Sequence, residues 1–388
     1  VKNLLDQILP ANRFYARKLD AVSSLHDLFT LKQELIDDQA AKPPYGTNLT
    51  FPLERYTRFC QTSGTSGHPL RWLDTNESWS WMLGNWDRVY QAAGITAQDH
   101  IFFAFSFGPF LGFWTAFEAA TRMGALAIPG GGMRTSVRLR TILETRATVL
   151  CCTPTYAIRL AEAAAEEKFD LEKSAVRRIV VAGEPGGSIA STRAHIERLW
   201  PGARVVDHHG MTETGPVSYG CPARPGVLHV IESSYIAEVI DGELILTNLG
   251  RIGSPLIRYR TGDLVNAVRG TCACGTNDLA LEGGILGRTD DMVVVRGVNI
   301  YPTAIEEVLR SEGVTEYRVE VRTDRALTEL RIQVEGNMST HHLEAALSNA
   351  FSLRIPVTTV ETGTLPRFEA KARRWIRYDR MIDESRIS

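Results

Sequence analysis

The chain has few of the features that would tie it to a membrane, the cell exterior or a nucleic acid. No apolar run reaches the roughly 18 residues needed to cross a bilayer, and no charged-then-apolar leader opens it, so the expected compartment is the cytoplasm. Six cysteines among 388 residues are too few for a disulfide scaffold. With 43 basic against 45 acidic side chains, the net charge of -2 supplies no field to gather polyanions or an anionic lipid surface. No nucleic-acid or membrane partner is expected, and small molecules are favoured. Two common phosphate-binding signatures are missing as well. No Gly-Lys-Ser/Thr follows a glycine at P-loop spacing, and no Gly-x-Gly-x-x-Gly opens a helix.

What the chain does have is Thr62-Ser63-Gly64-Thr65-Ser66-Gly67-His68-Pro69. The two glycines can turn several N–H groups round one anion, and the hydroxyls of Thr62, Ser63, Thr65 and Ser66 add donors without bulk. A plain surface turn has the same composition, so the meaning of this loop depends on its company.

A chain of this length exceeds what one core usually organises, and two or more domains are expected. Residues 1–45 alternate helical patches with polar joints and end at Pro43-Pro44, in the manner of a wrapping arm. Trp79, Met82, Trp86, Val89 and Tyr90 recur at helical spacing and predict an amphipathic helix over 75–93. From 101 to 183 strands alternate with helices. Strands are expected at 101–105, before Pro129-Gly130-Gly131-Gly132, up to Cys151-Cys152, and at 179–182 before Gly183-Glu184-Pro185. Cys60, Cys151 and Cys152 belong to such strands and are expected in packing roles. This rhythm predicts a mainly parallel sheet with ligands outside its carboxyl ends. From about 226 the pattern changes to short strands at 235–240, 243–247 and 257–260, a small antiparallel region. Past a boundary at 287–290, a strand at 292–295, a helix opening at Pro302 and strands at 317–321 and 329–334 predict a compact α+β unit. The expected architecture is α/β, with a large domain over 1–287 and a small one over 288–388.

Four more segments fall on predicted loops or strand ends. These are Asp207-His208-His209-Gly210-Met211-Thr212-Glu213-Thr214-Gly215, Arg258-Tyr259-Arg260-Thr261-Gly262-Asp263, Gly287-Arg288-Thr289-Asp290-Asp291, and Leu365-Pro366-Arg367-Phe368-Glu369-Ala370-Lys371. In this order and at these separations, they resemble the motifs of the adenylate-forming superfamily of acyl-CoA synthetases over nearly the whole chain. The phenylacetate-CoA ligase-like branch is the closest in pattern, through Gly183-Glu184-Pro185 and the run from Gly287 to Pro302.

The resemblance implies a reaction in two steps: a carboxylate displaces pyrophosphate from ATP to give an acyl-AMP, and a thiol then displaces AMP. Both first reactants are anions, so the site needs positive charge and oriented dipoles. By family position, Lys371 bridges the attacking carboxylate and the α-phosphate, Thr212 bonds that phosphate, and Glu213 holds Mg²⁺, a hard cation that prefers carboxylate oxygen. Asp263 takes the ribose hydroxyls with Arg288 beside it. Gly183, Glu184 and Pro185 line the adenine pocket, and Asp207, His208, His209, Gly210 and Met211 complete the nucleotide site. Asp290 matches the hinge of a mobile C-terminal domain.

Three positions depart from the pattern. His68 stands where the phosphate loop commonly has lysine, which leaves Arg71 as an alternative source of charge. His209 replaces an aromatic residue, and Ala370 replaces the glycine before the lysine. Cys221, His229, Cys272 and Cys274 supply three sulfurs and an imidazole, a closed set for a structural zinc ion, although reduced unligated thiols would have the same spacing. Phe105, Phe107, Phe110 and Tyr156 are candidate walls of an apolar slot for an aromatic acid. The expected partners are therefore ATP, a small aromatic carboxylic acid, and CoA. A carrier-protein thiol or an amine is the alternative acceptor, since no strong basic cluster for the CoA 3′-phosphate is evident. A non-catalytic, zinc-stabilised nucleotide-binding regulator is the remaining alternative.

Overall fold

The computed structural model describes residues 2–62, 69–296, 298–324, 327–369 and 371–379. Ser63, Gly64, Thr65, Ser66, Gly67 and His68 of the hydroxyl-rich loop lie outside the described residues, as do Gly297 and Ala370.

Five parallel strands form one sheet in the order Leu126–Pro129, His100–Phe103, Val149–Cys152, Arg178–Val181, Arg204–Asp207. The chain enters at His100–Phe103, moves to one edge, then crosses back and proceeds the other way. The order thus reverses between His100–Phe103 and Val149–Cys152, and in sheets of this kind the crevice opens beside such a reversal. The predicted aromatic helix is Asn76–Ala93. Thr75 caps it by accepting a hydrogen bond from the Ser78 N–H, and Gly94 ends it in the left-handed region at φ 67°. Met82, Trp86, Val89 and Tyr90 are all buried, so the aromatic stripe is core, and Cys60, Cys151 and Cys152 are buried as well.

The antiparallel region is the larger sheet, with six strands against five, in the order Ser218–Gly220, Val227–Val230, Ala280–Arg288, Tyr259–Val268, Glu243–Asn248, Tyr235–Ile240. One expectation needs correction here. The strand expected at 257–260 with Asp263 at its end runs instead from Tyr259 to Val268, and Asp263 sits mid-strand. Glu243 pairs with Leu264 and Ile245 with Arg260, so this strand carries two extra residues inside its ladder. Gly262, at φ 76°, supplies the left-handed turn of that bulge, which explains why it reads in sequence as a terminator. The bulge places Asp263 directly across from Arg288 on the next strand.

The N-terminal arm folds as three helices, Lys2–Ile8, Arg13–Asp20 and Lys32–Ala41. It is tied to the antiparallel sheet through the Tyr15 hydroxyl, which lies 2.9 Å from Thr30 Oγ1 and accepts from the Ile257 N–H at 2.8 Å. Beyond Arg288 the chain forms a second hydrophobic core. The strands Val357–Val360, Leu327–Glu335, Tyr317–Asp324 and Trp375–Asp379 make a four-stranded sheet in that order, packed with the helices Pro302–Ser311 and Thr340–Phe351.

The strands Tyr56–Gln61 and Arg71–Thr75 pair as an antiparallel hairpin, and the hydroxyl-rich segment falls between them in the sequence. Its base is closed by Thr62 and Leu70, whose backbones bond at 3.0 Å while the Leu70 N–H also donates to Thr62 Oγ1. Asp74, on its second strand, forms a two-bond ion pair with Arg251 at 2.6 and 2.5 Å, and neither side chain has any solvent exposure. The same guanidinium donates to the carbonyls of Thr212 and Glu213 at 2.7 and 2.9 Å and lies over the Trp72 ring. Asp74→Ala would leave this cation buried and unpaired, so it should destabilise the protein by about 3–5 kcal/mol, and Asp74→Asn by less. Chemical denaturation of both variants checks this, with a shift in midpoint and an unchanged slope as the expected result.

Candidate functional site

The loops at the carboxyl ends of the parallel strands meet the antiparallel sheet, and Gly183, Glu184, Glu213, Arg288 and Lys371 gather at that junction. Glu213 is buried on the turn after Asp207, with its backbone held by Arg251. Its carboxylate lies 3.0 Å from the ammonium of Lys32, which the arm helix Lys32–Ala41 delivers. Sequence reasoning missed this lysine, because nothing local marks a helix-opening lysine as a visitor to a turn about 180 residues away in the chain. Arg71, the alternative source of charge for the phosphate loop, instead donates to the Pro44 carbonyl at 3.1 Å.

Asp263 is buried, and each of its oxygens has a partner: Oδ2 is 2.9 Å from His209 Nε2, and Oδ1 accepts from Arg288 at 3.0 Å. Arg288 also grips Asp290 at 2.8 Å, so one guanidinium links the nominated ribose acceptor to the nominated hinge. His209 Nδ1 is buried and has no hydrogen-bond partner among the described residues, an orphaned polar atom at the cleft. Met211 and Gly210 pair with Gly215 and Pro216 in a two-residue ribbon that shapes this turn.

His208 and Asp207 take up structural positions. The His208 ring packs against Trp86 at 4.4 Å and bonds the Ser218 carbonyl at 2.6 Å, and burial holds its pKa down at about 4, so it is neutral. Asp207 accepts from Ser188 Oγ at 2.5 Å, and burial raises its pKa.

Lys371 reaches this cleft from the other core. A methyl group built on Gly183 would lie 3.6 Å from its Cε, so the glycine leaves the space the lysine stem uses. Loss of hydration is the largest influence on the ammonium and lowers its pKa, opposed by the carboxylates of Glu184 and Glu213 and reinforced by Arg288 and Lys32. Glu184 bonds backbone: its carboxylate accepts from the N–H of Thr155 at 2.9 Å and of Ala372 at 2.7 Å. Pro185 is exposed on the same loop.

Of the nominated acyl-slot residues, Phe105 is buried and stacks on Phe113, whereas Phe107 is half-buried with its edge to Trp114 and Phe117. Tyr156 is buried beneath Arg138, its hydroxyl 3.2 Å from Thr135 Oγ1. Phe110 is more exposed than these, at 41%, just ahead of the helix Leu111–Met123.

The family model for AMP-binding enzymes matches residues 25–256, and that for the AMP-binding enzyme C-terminal domain matches 297–379. The chain belongs to the AMP-binding enzyme family. Among curated members of this family, a phenylacetate-coenzyme A ligase of Thermus thermophilus is 31% identical over 362 residues, 86% of this chain and 79% of that protein. One from Escherichia coli is 28% identical over 92% of this chain and 88% of that protein. A crystal structure of 2-hydroxyisobutyryl-CoA ligase in the postadenylation state superposes with a TM-score of 0.90 at 27% identity, covering 97% of this chain and 88% of that one. The relation therefore spans both cores.

Away from the cleft, one ligand atom each from Cys221, His229, Cys272 and Cys274 lies within 4.8 Å of all the others. Cys221 and Cys272 sulfurs are 3.6 Å apart, and Cys274 Sγ is 3.5 Å from His229 Nε2. Bonds of about 2.3 Å to a tetrahedral zinc ion give sulfur–sulfur edges near 3.8 Å, so the set fits. His229 Nδ1 lies 3.1 Å from the Asp278 carbonyl, which leaves Nε2 as the ligand nitrogen. The N–H of Cys274 is the first of several hydrogen bonds that lower the Cys272 pKa to about 6, favouring the thiolate a metal needs. If the set holds zinc, extensively dialysed protein should retain about one equivalent by elemental analysis, and Cys272→Ser should lose it and melt several degrees lower. Metal-free protein of unchanged melting temperature would remove the site.

Proposed function

We propose that this chain activates an aromatic or arylacetic carboxylic acid as its acyl-AMP and then transfers the acyl group to CoA, as an AMP-forming acid–thiol ligase. The observation that carries the reading is the arrival of Lys371, from the C-terminal core, in the cleft bounded by Glu213, Asp263 and Arg288. A regulator that only bound nucleotide would have no use for a cation brought there from a second domain.

In the first step a carboxylate oxygen of the acid attacks the α-phosphorus of ATP, and the bond to the β-phosphate oxygen breaks, releasing pyrophosphate. Lys371 lies where it can neutralise both anions as they approach, and Thr212 and the hydroxyl-rich loop orient the phosphates. Asp263 exchanges its bond to His209 for the ribose hydroxyls while Arg288 keeps hold of its other oxygen. Glu213 would hold Mg²⁺, which neutralises phosphate charge when bound. The carboxylate suits that role because it is buried and its cationic partner, Lys32, sits on a side chain free to swing away. In the second step the CoA sulfur attacks the acyl carbon and AMP leaves. The slot for the acid lies among Phe105, Phe107 and Tyr156, with the Gly130-Gly131-Gly132 turn close enough that a methyl on Gly131 would meet Phe107 at 3.0 Å. The zinc set would fasten the turn between the strands of Asp263 and Arg288 and take no part in the reaction.

Pyrophosphate release should appear with aryl or arylacetic acids and yield a thioester when CoA is present. Preference for a short branched hydroxy acid would overturn the aromatic assignment, and release without any thioester would turn the acceptor into a carrier-protein thiol or an amine. Lys371→Ala should lose adenylate formation by about a thousandfold or more while thioester formation from supplied acyl-AMP stays within a fewfold. The wild-type lysine must be protonated to act, and its pKa is lowered. The alkaline limb of the first half-reaction should therefore begin below the ordinary lysine value of 10.5. A limb at or above that value would show that the cleft does not perturb this ammonium.

A further inference from the structure

Glu184 was nominated for the adenine pocket, but both of its oxygens are spent on backbone N–H groups in two different parts of the chain. Oε1 accepts from Thr155, in the first turn of the helix Pro154–Glu166, where the unpaired N–H groups of a helix favour a negative charge. Oε2 accepts from Ala372, the residue immediately after Lys371. One carboxylate thus joins the large core to the loop of the nominated catalytic lysine, one residue from the lysine itself.

Neighbouring contacts bracket the same loop. Arg367 donates to Glu162 at 3.2 Å and to Glu335 at 2.7 Å, and the Thr135 hydroxyl donates to Glu369 at 3.1 Å. Arg374 is buried, fixed by two bonds to Glu316, and reaches Thr155 Oγ1 at 3.4 Å. Arg367 and Glu369 meet the large core through groups at least partly in contact with water, and the bond of Arg374 to Thr155 is long. Glu184 supplies the short, charge-assisted bond of the set.

We propose that Glu184 is a positioning residue, a latch that holds the lysine loop in the adenylating pose and must let go before the thiol step. The inference rests on the reading of Lys371 as the adenylating lysine. The latch has two arms, both backbone, so it grips the loop whatever side chain stands at 372. It acts in one pose only, because a carboxylate anchored to Thr155 cannot follow Ala372 when the small domain turns. The same 2-hydroxyisobutyryl-CoA ligase that superposes at a TM-score of 0.90 in its postadenylation state gives 0.72 in its thioesterification state. The pose in which Glu184 meets Ala372 is therefore the adenylation-like one.

The test uses the full chain with Glu184→Gln, which keeps the shape but offers one acceptor for two donors, and Glu184→Ala, which offers none. Hydrogen exchange measured by mass spectrometry over 371–375 should speed up about tenfold or more in the alanine variant, with the strand Val149–Cys152 unchanged as the check on folding. Acid-dependent pyrophosphate release should fall by about ten- to a hundredfold, whereas thioester formation from supplied acyl-AMP should stay within about twofold or rise. Unchanged exchange over 371–375, or equal loss of both half-reactions, would overturn the latch. Faster exchange in a protein that, even as wild type, releases no pyrophosphate with any acid would leave the latch standing and refute the reaction instead.

Discussion

The buried pair of Asp74 and Arg251 is the constraint on which the rest of this structure depends. Asp74 belongs to the hairpin whose strands flank the hydroxyl-rich segment in the sequence, Arg251 to the loop after the strand Glu243–Asn248, and Arg251 also holds the carbonyls of Thr212 and Glu213. Two separate segments, each given a part in handling phosphate by the proposed reaction, are thereby referred to one guanidinium. Two charges removed wholly from water are weak evidence of stability in themselves, since their attraction must first offset their lost hydration. Their value here is geometric. A planar fork with every donor direction fixed tolerates little displacement of the groups around it.

The second organising feature is an opposition between two needs. In the reaction proposed for this chain, the first half-reaction needs Lys371 inside the cleft, and the second needs room for a thiol. The chain resolves this by keeping the lysine on a loop of the C-terminal core and fastening that loop with bonds to the large core that can be exchanged for water. Two glutamates of the helix Pro302–Ser311 add to the docking, with Glu307 accepting from Ser191 and Glu306 from Thr192 on the helix Ala190–Leu199. Ion pairs and hydrogen bonds suit such a junction better than a continuous apolar seam would, because each is individually weak and none leaves a large greasy surface when broken.

Much of this could be read from the residues, and the gaps have identifiable causes. The parallel sheet announced itself through apolar runs bounded by Gly and Pro, and the aromatic helix through its spacing. The motif order was enough to point to the family. The strand of Asp263 was cut short in reading because Gly262 resembles a stop, when it is a bulge held open by partners on both sides. The roles of Lys32, Asp74 and Arg251 were invisible, because their partners lie far off in sequence and no local pattern marks them. His208 and Glu184 show contacts that their motifs alone do not reveal. Both sit in motifs whose neighbours face the cleft, yet one packs on Trp86 and the other bonds the lysine loop, since adjacent residues on a turn seldom point the same way.

The central claim is that groups from both cores converge on a single acyl-adenylate. Its most direct test is a crystal structure of the full chain with a non-hydrolysable acyl-adenylate analogue. The account predicts the ribose hydroxyls on Asp263 and the Lys371 ammonium within about 3.5 Å of an oxygen at the acyl–phosphate linkage. An analogue bound with its ribose away from Asp263, or with Lys371 left in solvent beside an otherwise unchanged cleft, would contradict it.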